Sequence, residues 1–314
     1  MTGPMTPLVI TALSERFTLH RLWEAPDPQA RLAEIGPAIR GLASSALSAP
    51  ADEALFAKLP ALEIVSSLGV GYDNVEVAAA AARGIVVTNT PDVLTDEVAD
   101  LTIGLLLATL RRLPQADRFL RAGRWLEEGH FSLTPTLRGR RVGILGYGRI
   151  GKAIAHRLDA FGVEVVYHGR NRQEGVPHAY FGDLAEMASA VDVLVAVTPG
   201  GPGTDKIIDA RVLDALGPDG VLINVARGSV VDEEALIAAL RDGRILSAGL
   251  DVYADEPNVP QALIDMEHVV LLPHVGSGSQ KTRDAMAQLV VDNLVSWFEG
   301  RGPLTPVPET PYRA

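Results

Sequence analysis

The stretch Val142-Gly143-Ile144-Leu145-Gly146-Tyr147-Gly148-Arg149-Ile150-Gly151 decides the fold class of this 314-residue chain. An apolar run ends in G-x-G-x-x-G. Beyond it, apolar side chains recur at Ile150, Ala153 or Ile154, Leu158 and Phe161, the period of one helix face. The spacing predicts strand, tight turn and helix. Each glycine then has a purpose. Gly146 makes the turn, Gly148 lets a pyrophosphate approach the backbone, and Gly151 lets helix and strand pack closely. The helix start, with Arg149 and Ile150, offers its first N–H groups and the positive end of the helix dipole to phosphates. A strand before the glycines and a helix after them make this a dinucleotide-binding turn.

The same alternation runs through the rest of the chain. Candidate strands cover 8–11, 63–66, 85–88, 141–145, 164–167, 191–197, 220–225, 246–250 and 269–272. Candidate helices cover 51–59, 75–82, 97–111, 150–161, 233–241 and 282–299. Asn74 and Asp232 are placed to N-cap the helices after them, and Gly84 and Gly243 fall where helix C-termini favour glycine. The strand runs are apolar without strict alternation, as in parallel strands buried on both faces. The expected class is α/β, with two Rossmann-like domains built on parallel sheets. Because a long α/β stretch precedes the turn, a dinucleotide-binding domain (101–282) is expected to be inserted into a discontinuous substrate domain (1–100 and 283–314).

Composition bounds the function. Hydrophobic residues make up 47% and charged residues 21%, enough for two cores. The net charge of −11 argues against nucleic acid or an anionic membrane as partner, so an anionic substrate needs a local cation. There is no cysteine, hence no disulfide, thiol nucleophile or Cys-ligated metal. No histidine or carboxylate spacing suggests a metal site. The first residues carry no basic and apolar leader pattern, and the apolar run at 103–110 is too short to span a bilayer. The expectation is a soluble cytoplasmic protein.

In open α/β sheets, ligands bind beyond the carboxyl ends of the strands. Four polar groups fall at such ends: Thr198 after 191–197, Arg227 after 220–225, Asp251 after 246–250 and His274 after 269–272. Glu256 sits in the Pro-bounded loop Asp251-Val252-Tyr253-Ala254-Asp255-Glu256-Pro257. An arginine, a histidine and a glutamate converging on one crevice suit the reduction of a 2-keto acid. Arginine presents a planar fork to a carboxylate. Histidine protonates the carbonyl oxygen as charge develops there. A neighbouring carboxylate fixes the histidine tautomer and favours its acid form. Taken singly, such an arginine is usually a surface ion pair and such a histidine a satisfied structural residue; their grouping beside a dinucleotide turn favours function.

The cofactor can be read further. An NAD-binding unit wants Asp or Glu about 20 residues past the glycines, for the ribose 2′-hydroxyl. Here Val165-Val166-Tyr167 is followed by His168-Gly169-Arg170-Asn171-Arg172, with no carboxylate until Glu174. His168 falls beside the adenosine, and Arg170 and Arg172 suit a 2′-phosphate. NADPH is therefore expected, with NADH a poorer substitute.

At these residues the chain resembles the D-isomer-specific 2-hydroxyacid dehydrogenases, most closely the NADPH-preferring glyoxylate/hydroxypyruvate reductases. The resemblance is carried by Gly69-Val70-Gly71-Tyr72-Asp73-Asn74, by Thr88-Asn89-Thr90-Pro91-Asp92-Val93-Leu94-Thr95-Asp96-Glu97-Val98-Ala99-Asp100 and by the glycine turn. It continues in Asn224-Val225-Ala226-Arg227-Gly228, Asp251 to Pro257 and Pro273-His274-Val275-Gly276. It implies that Arg227 binds substrate and that Glu256 and His274 form the acid pair. It implies that the backbone at Val70 and Gly71 holds the substrate carboxylate, with Arg227 and His274 also on the substrate. Thr95 would face the nicotinamide side, and Asp251 would meet the carboxamide. Thr198, Pro199, Val225, Ala226, Arg227, His274 and Gly276 complete the implied cofactor contacts. Glu256 stands where the formate dehydrogenases of the superfamily carry Gln, which counts against formate. The loop Thr198-Pro199-Gly200-Gly201-Pro202-Gly203-Thr204 departs from the family's Thr-Pro-Glu-Thr wording at the same length.

The implied partner is a small 2-keto acid, glyoxylate or hydroxypyruvate, in a homodimer whose arm is the stretch at 119–131 with Trp125 and Phe131. Two other readings stay open: a D-lactate-type dehydrogenase for larger 2-keto acids, and a dinucleotide-sensing corepressor that keeps the same three residues without turnover.

Overall fold

Strands made of short apolar runs need cover on both faces, and the computed structural model shows how this chain supplies it. It describes residues 1–45, 48–310 and 312. Ten strands are assigned among them: β1 Gly41–Ser45, β2 Ile64–Leu68, β3 Val86–Thr88, β4 Arg141–Leu145, β5 Glu164–His168, β6 Ala179–Phe181, β7 Val193–Ala196, β8 Val221–Asn224, β9 Ser247–Leu250 and β10 Val270–Leu271. The chain divides into two units, Met1–Leu94 with Ser279–Ala314, and Thr95–Gly278.

The second unit carries a seven-stranded sheet in the order β10-β9-β8-β7-β4-β5-β6. Every pairing is parallel. Chain order reverses between β4 and β7, which creates the crevice where ligands of such sheets bind. β7, β8 and β9 are buried along their whole length. Gly249 in β9 matters here. A Cβ on it would lie 2.4 Å from Thr109 Oγ1 and 2.9 Å from Leu105 Cγ, so helix Thr95–Leu110 lies on the sheet only because that side chain is missing.

Helix Thr95–Leu110 belongs wholly to this unit. Arg157, on helix Arg149–Asp159, pairs with Asp96 at 3.1 Å and Asp100 at 2.6 Å. The boundary therefore falls at Leu94, ahead of the helix, and not at residue 100 inside it. The second boundary falls at Gly278 and not at 282, because Ser279 caps helix Gln280–Phe298 by accepting from Thr282 N–H. A helix moves with the surface its whole length packs on.

In the first unit, β1-β2-β3 form a parallel sheet with a core on each face. Leu42 and Val65 point into one, with Phe56 and Leu59; Ala43 and Ile64 point into the other, with Val9, Leu13 and Val290. Three expectations fail here. Residues 8–11 are not a strand but lie in helix Pro7–Ser14. Pro7 occupies the first turn, where its missing N–H costs nothing, and burial falls at Val9 and Leu13, four residues apart. β1 was not foreseen, since Gly-Leu-Ala-Ser-Ser has no β-branched residue. Asn74 does not cap a helix: its side-chain amide donates to Ser44 Oγ and Ser45 O, and the helix starts later, at Val77. Asp232 does cap, accepting from Ala235 N–H, and Gly84 and Gly243 follow helices with φ of +72° and +67°.

Candidate active site

The three glycines of the turn after β4 meet three different surroundings. Gly146 has φ +100°, and a Cβ there would sit 2.7 Å from the Thr198 backbone. Gly151 lies against β4, where a Cβ would come within 2.2 Å of Gly146 O. Gly148 faces open space. Arg149 and Ile150 open helix Arg149–Asp159, so their N–H groups have no partner within it. Thr198 and Pro199 follow β7, in a loop closed by Thr204 Oγ1 donating to Pro199 O at 2.7 Å. Gly146 N–H also donates to His168 O, which holds the end of β5 beside the turn. Past it, Gly169 is partly exposed and Arg170, Asn171 and Arg172 are exposed. Thr95 Oγ1, at the start of helix Thr95–Leu110, is buried with no hydrogen-bond partner. A glycine turn, the first amides of a helix, two exposed arginines and the Thr95 hydroxyl fit a phosphorylated dinucleotide.

The candidate reacting groups follow three adjacent strands, β8, β9 and β10. After β8 the chain turns through Val225 and Ala226 to Arg227. Asn224, 1% exposed, holds this turn: its Oδ1 accepts from Ala226 N–H and its Nδ2 donates to Arg227 O. Sequence reasoning gave Asn224 no role, because only the fold shows that its side chain folds back on its own turn. Gly228 follows, and a Cβ on it would lie 1.9 Å from the Tyr253 carbonyl, so the Arg227 turn and the Glu256 loop touch backbone to backbone.

After β9 comes Asp251, 2% exposed. Its carboxylate accepts from Val275 N–H at 2.7 Å and Gly276 N–H at 2.8 Å. It thereby grips the backbone just past His274, which stands at φ +53°. Burial pushes the Asp251 carboxyl above the usual range, although the two N–H bonds and His274 oppose this. Tyr253 braces the same loop, its hydroxyl donating to Leu272 O at 2.9 Å.

Glu256 and His274 meet directly: His274 Nδ1 donates to Glu256 Oε2 at 2.6 Å. Glu256 Oε1 accepts from Tyr253 N–H at 3.1 Å. Burial raises the Glu256 carboxyl, but the bonds from His274 and Tyr253 and the charges of His274 and Arg227 outweigh it and leave it below its ordinary value. The pair is partly open, with side-chain exposures of 41% for His274 and 34% for Glu256.

Val70 and Gly71 belong to the other unit, in the loop after β2. Asn89 Nδ2 donates to Val70 O at 2.9 Å, and Gly69 and Thr90 exchange hydrogen bonds beside them.

Residues 103–276 match the model for the NAD-binding domain of D-isomer specific 2-hydroxyacid dehydrogenases. The chain belongs to this family. It is 48% identical to glyoxylate/hydroxypyruvate reductase A of Arabidopsis thaliana, over 98% of this chain and 97% of that one. It is equally 48% identical to hydroxyphenylpyruvate reductase of Plectranthus scutellarioides, with the same coverage. Among solved structures, the NADPH-dependent glyoxylate/hydroxypyruvate reductase of Sinorhizobium meliloti, in complex with NADP and malonate, superposes with a TM-score of 0.93 at 52% identity, covering 99% of this chain and 97% of that one.

Proposed function

We propose that this chain is an NADPH-dependent reductase of small 2-keto acids, glyoxylate and hydroxypyruvate foremost, forming D-2-hydroxy acids. The observation that carries this reading is the 2.6 Å His274–Glu256 pair at a strand end two places from Arg227, on the sheet that also bears the glycine turn. Arg227 receives the substrate carboxylate in its planar fork and draws electron density from the adjacent carbonyl. His274, with Nδ1 committed to Glu256, has Nε2 left to give its proton to the carbonyl oxygen as negative charge develops. Glu256, held ionised, orients the ring and stabilises its protonated form. Bound NADPH supplies the hydride to the keto carbon. Arg170 and Arg172 carry the cofactor preference, since the turn beyond β5 has no carboxylate to reject a 2′-phosphate.

The test is NADPH consumption, followed by absorbance, with glyoxylate and with hydroxypyruvate. A chain that binds NADPH and turns over neither would be the sensing protein that shares this fold. The relative named for hydroxyphenylpyruvate supports a second reading, in which larger 2-keto acids are also reduced; the same assay with an aryl pyruvate measures it.

A homodimer is part of the proposal. The stretch at 119–131 includes helix Arg124–Glu128; Trp125 and Leu126 are exposed there, as are Leu120 and, just beyond, Leu133, whereas Phe131 packs edge-on against Phe119 with centroids 5.4 Å apart. Such a cluster calls for an apolar partner. Sedimentation at several concentrations tests it. No helix among the described residues is long and apolar enough to cross a membrane; the cytoplasmic location expected from the composition stays a proposal, tested by fractionation.

A further inference from the structure

Two long cationic side chains on a loop make a weak phosphate site unless the loop is held, because each gives up roughly 2 kcal/mol of rotamer entropy on binding. Arg170 and Arg172 are exposed and, among the described residues, without a hydrogen-bond or ion-pair partner. Their loop, in contrast, is tied on both sides. On leaving β5, His168 Nδ1 bonds Phe181 O at 2.9 Å, and the Tyr180 hydroxyl donates to Gly169 O at 3.1 Å. The Tyr180 ring lies within 7° of parallel to that of His168. On the far side of the arginines, Gln173 makes two bonds. Its backbone N–H donates to the Tyr167 hydroxyl at 2.8 Å, and its side-chain Nε2 donates to Tyr147 O at 2.7 Å.

Tyr147 is the residue between Gly146 and Gly148. Its ring is buried against Tyr167, centroids 4.4 Å apart. Gln173 therefore fastens the arginine loop to the dinucleotide turn itself.

We propose that Gln173 is a specificity-positioning residue for the cofactor. It touches no phosphate. It sets the distance between the turn that takes the pyrophosphate and the arginines that take the 2′-phosphate, and so rests on the NADPH reading given above. A merely structural role would weaken all adenine nucleotides alike. A positioning role weakens only those with a 2′-phosphate.

The experiment measures binding of 2′,5′-ADP and of 5′-AMP to the full-length protein by titration calorimetry. Gln173→Ala should weaken 2′,5′-ADP about fivefold or more, the worth of one hydrogen bond, and leave 5′-AMP within about twofold. The ratio of kcat/KM for NADPH over NADH should fall by the same factor. Gln173→Met, which keeps the bulk and the backbone bond to Tyr167, should behave alike and guards against misfolding of the alanine variant. In an Arg170→Ala/Arg172→Ala background the Gln173 effect should vanish. Parallel weakening of both nucleotides, no change in either, or an effect that survives in that background overturns the proposal. If that background alone binds 2′,5′-ADP as wild type does, the arginine assignment falls and takes this inference with it.

Discussion

His274 gives its Nδ1 hydrogen to Glu256 across 2.6 Å, although the two residues stand on loops from different strands. One ring nitrogen is thus spoken for, and the other is the proton donor we propose. His274→Asn should lower turnover by about two to four decades, the usual worth of a positioned general acid, with NADPH binding unchanged. Turnover measured at saturating cofactor checks this; a value near wild type would remove His274 from the chemistry.

Arg227→Lys keeps the charge and loses the fork. It should raise KM for glyoxylate and slow turnover together, because the carboxylate is then held at one point in place of two. Kinetics over a range of glyoxylate concentrations decide it, and an unchanged pair of constants would make Arg227 a structural residue.

Cofactor preference should follow the arginine loop. Wild type is expected to favour NADPH over NADH by at least about tenfold in kcat/KM, equivalent to about 1.4 kcal/mol. Arg170→Ala should remove most of that preference, chiefly through weaker NADPH affinity. Equal efficiency of the two cofactors in wild type, in phosphate-free buffer, would contradict it.

The Glu256 carboxyl lies below its ordinary value, so the folded state holds its charge more tightly than the unfolded chain does. The sign follows. The stabilisation is complete above the unfolded value of about 4.3 and is lost as pH falls through the lower folded value. Denaturant unfolding of wild type and Glu256→Gln should therefore converge as pH falls below about 4.3. A gap that persists or widens through that acid range would reverse the assignment.

Gly228→Ala should cost about 1–3 kcal/mol by overpacking, because its Cβ lands on the Tyr253 backbone. It should also depress kcat/KM, since separating these backbones separates Arg227 from Glu256. Denaturation and kinetics on one sample check both. Wild-type values for each would show that the loops can part freely.

Six of the seven strands of the larger sheet could be read from the chain because they are continuous apolar runs. The positions of Arg227, Asp251 and His274 followed from where those runs stop. What escaped had no local signal. Helix Pro7–Ser14 contains Leu-Val-Ile, which reads as a strand until the buried partners of Val9 and Leu13 are known. β6 is only Ala-Tyr-Phe. Asp251 was assigned from resemblance to the nicotinamide carboxamide; its grip on Val275 and Gly276 links residues 24 and 25 positions apart, which no spacing rule reaches.

Arg227 and His274 leave β8 and β10, with β9 between them. Two steps of inter-strand spacing put their starting points roughly 9–10 Å apart. In the proposed reaction the sheet is therefore a ruler: it sets how far the two side chains must reach to meet on a carboxylate and the carbonyl beside it. Every 2-keto acid shares that pair of groups. The tail beyond the carbonyl is never gauged by it, so preference for a short or a long substrate has to be written elsewhere in the chain, where it can change without disturbing the chemistry.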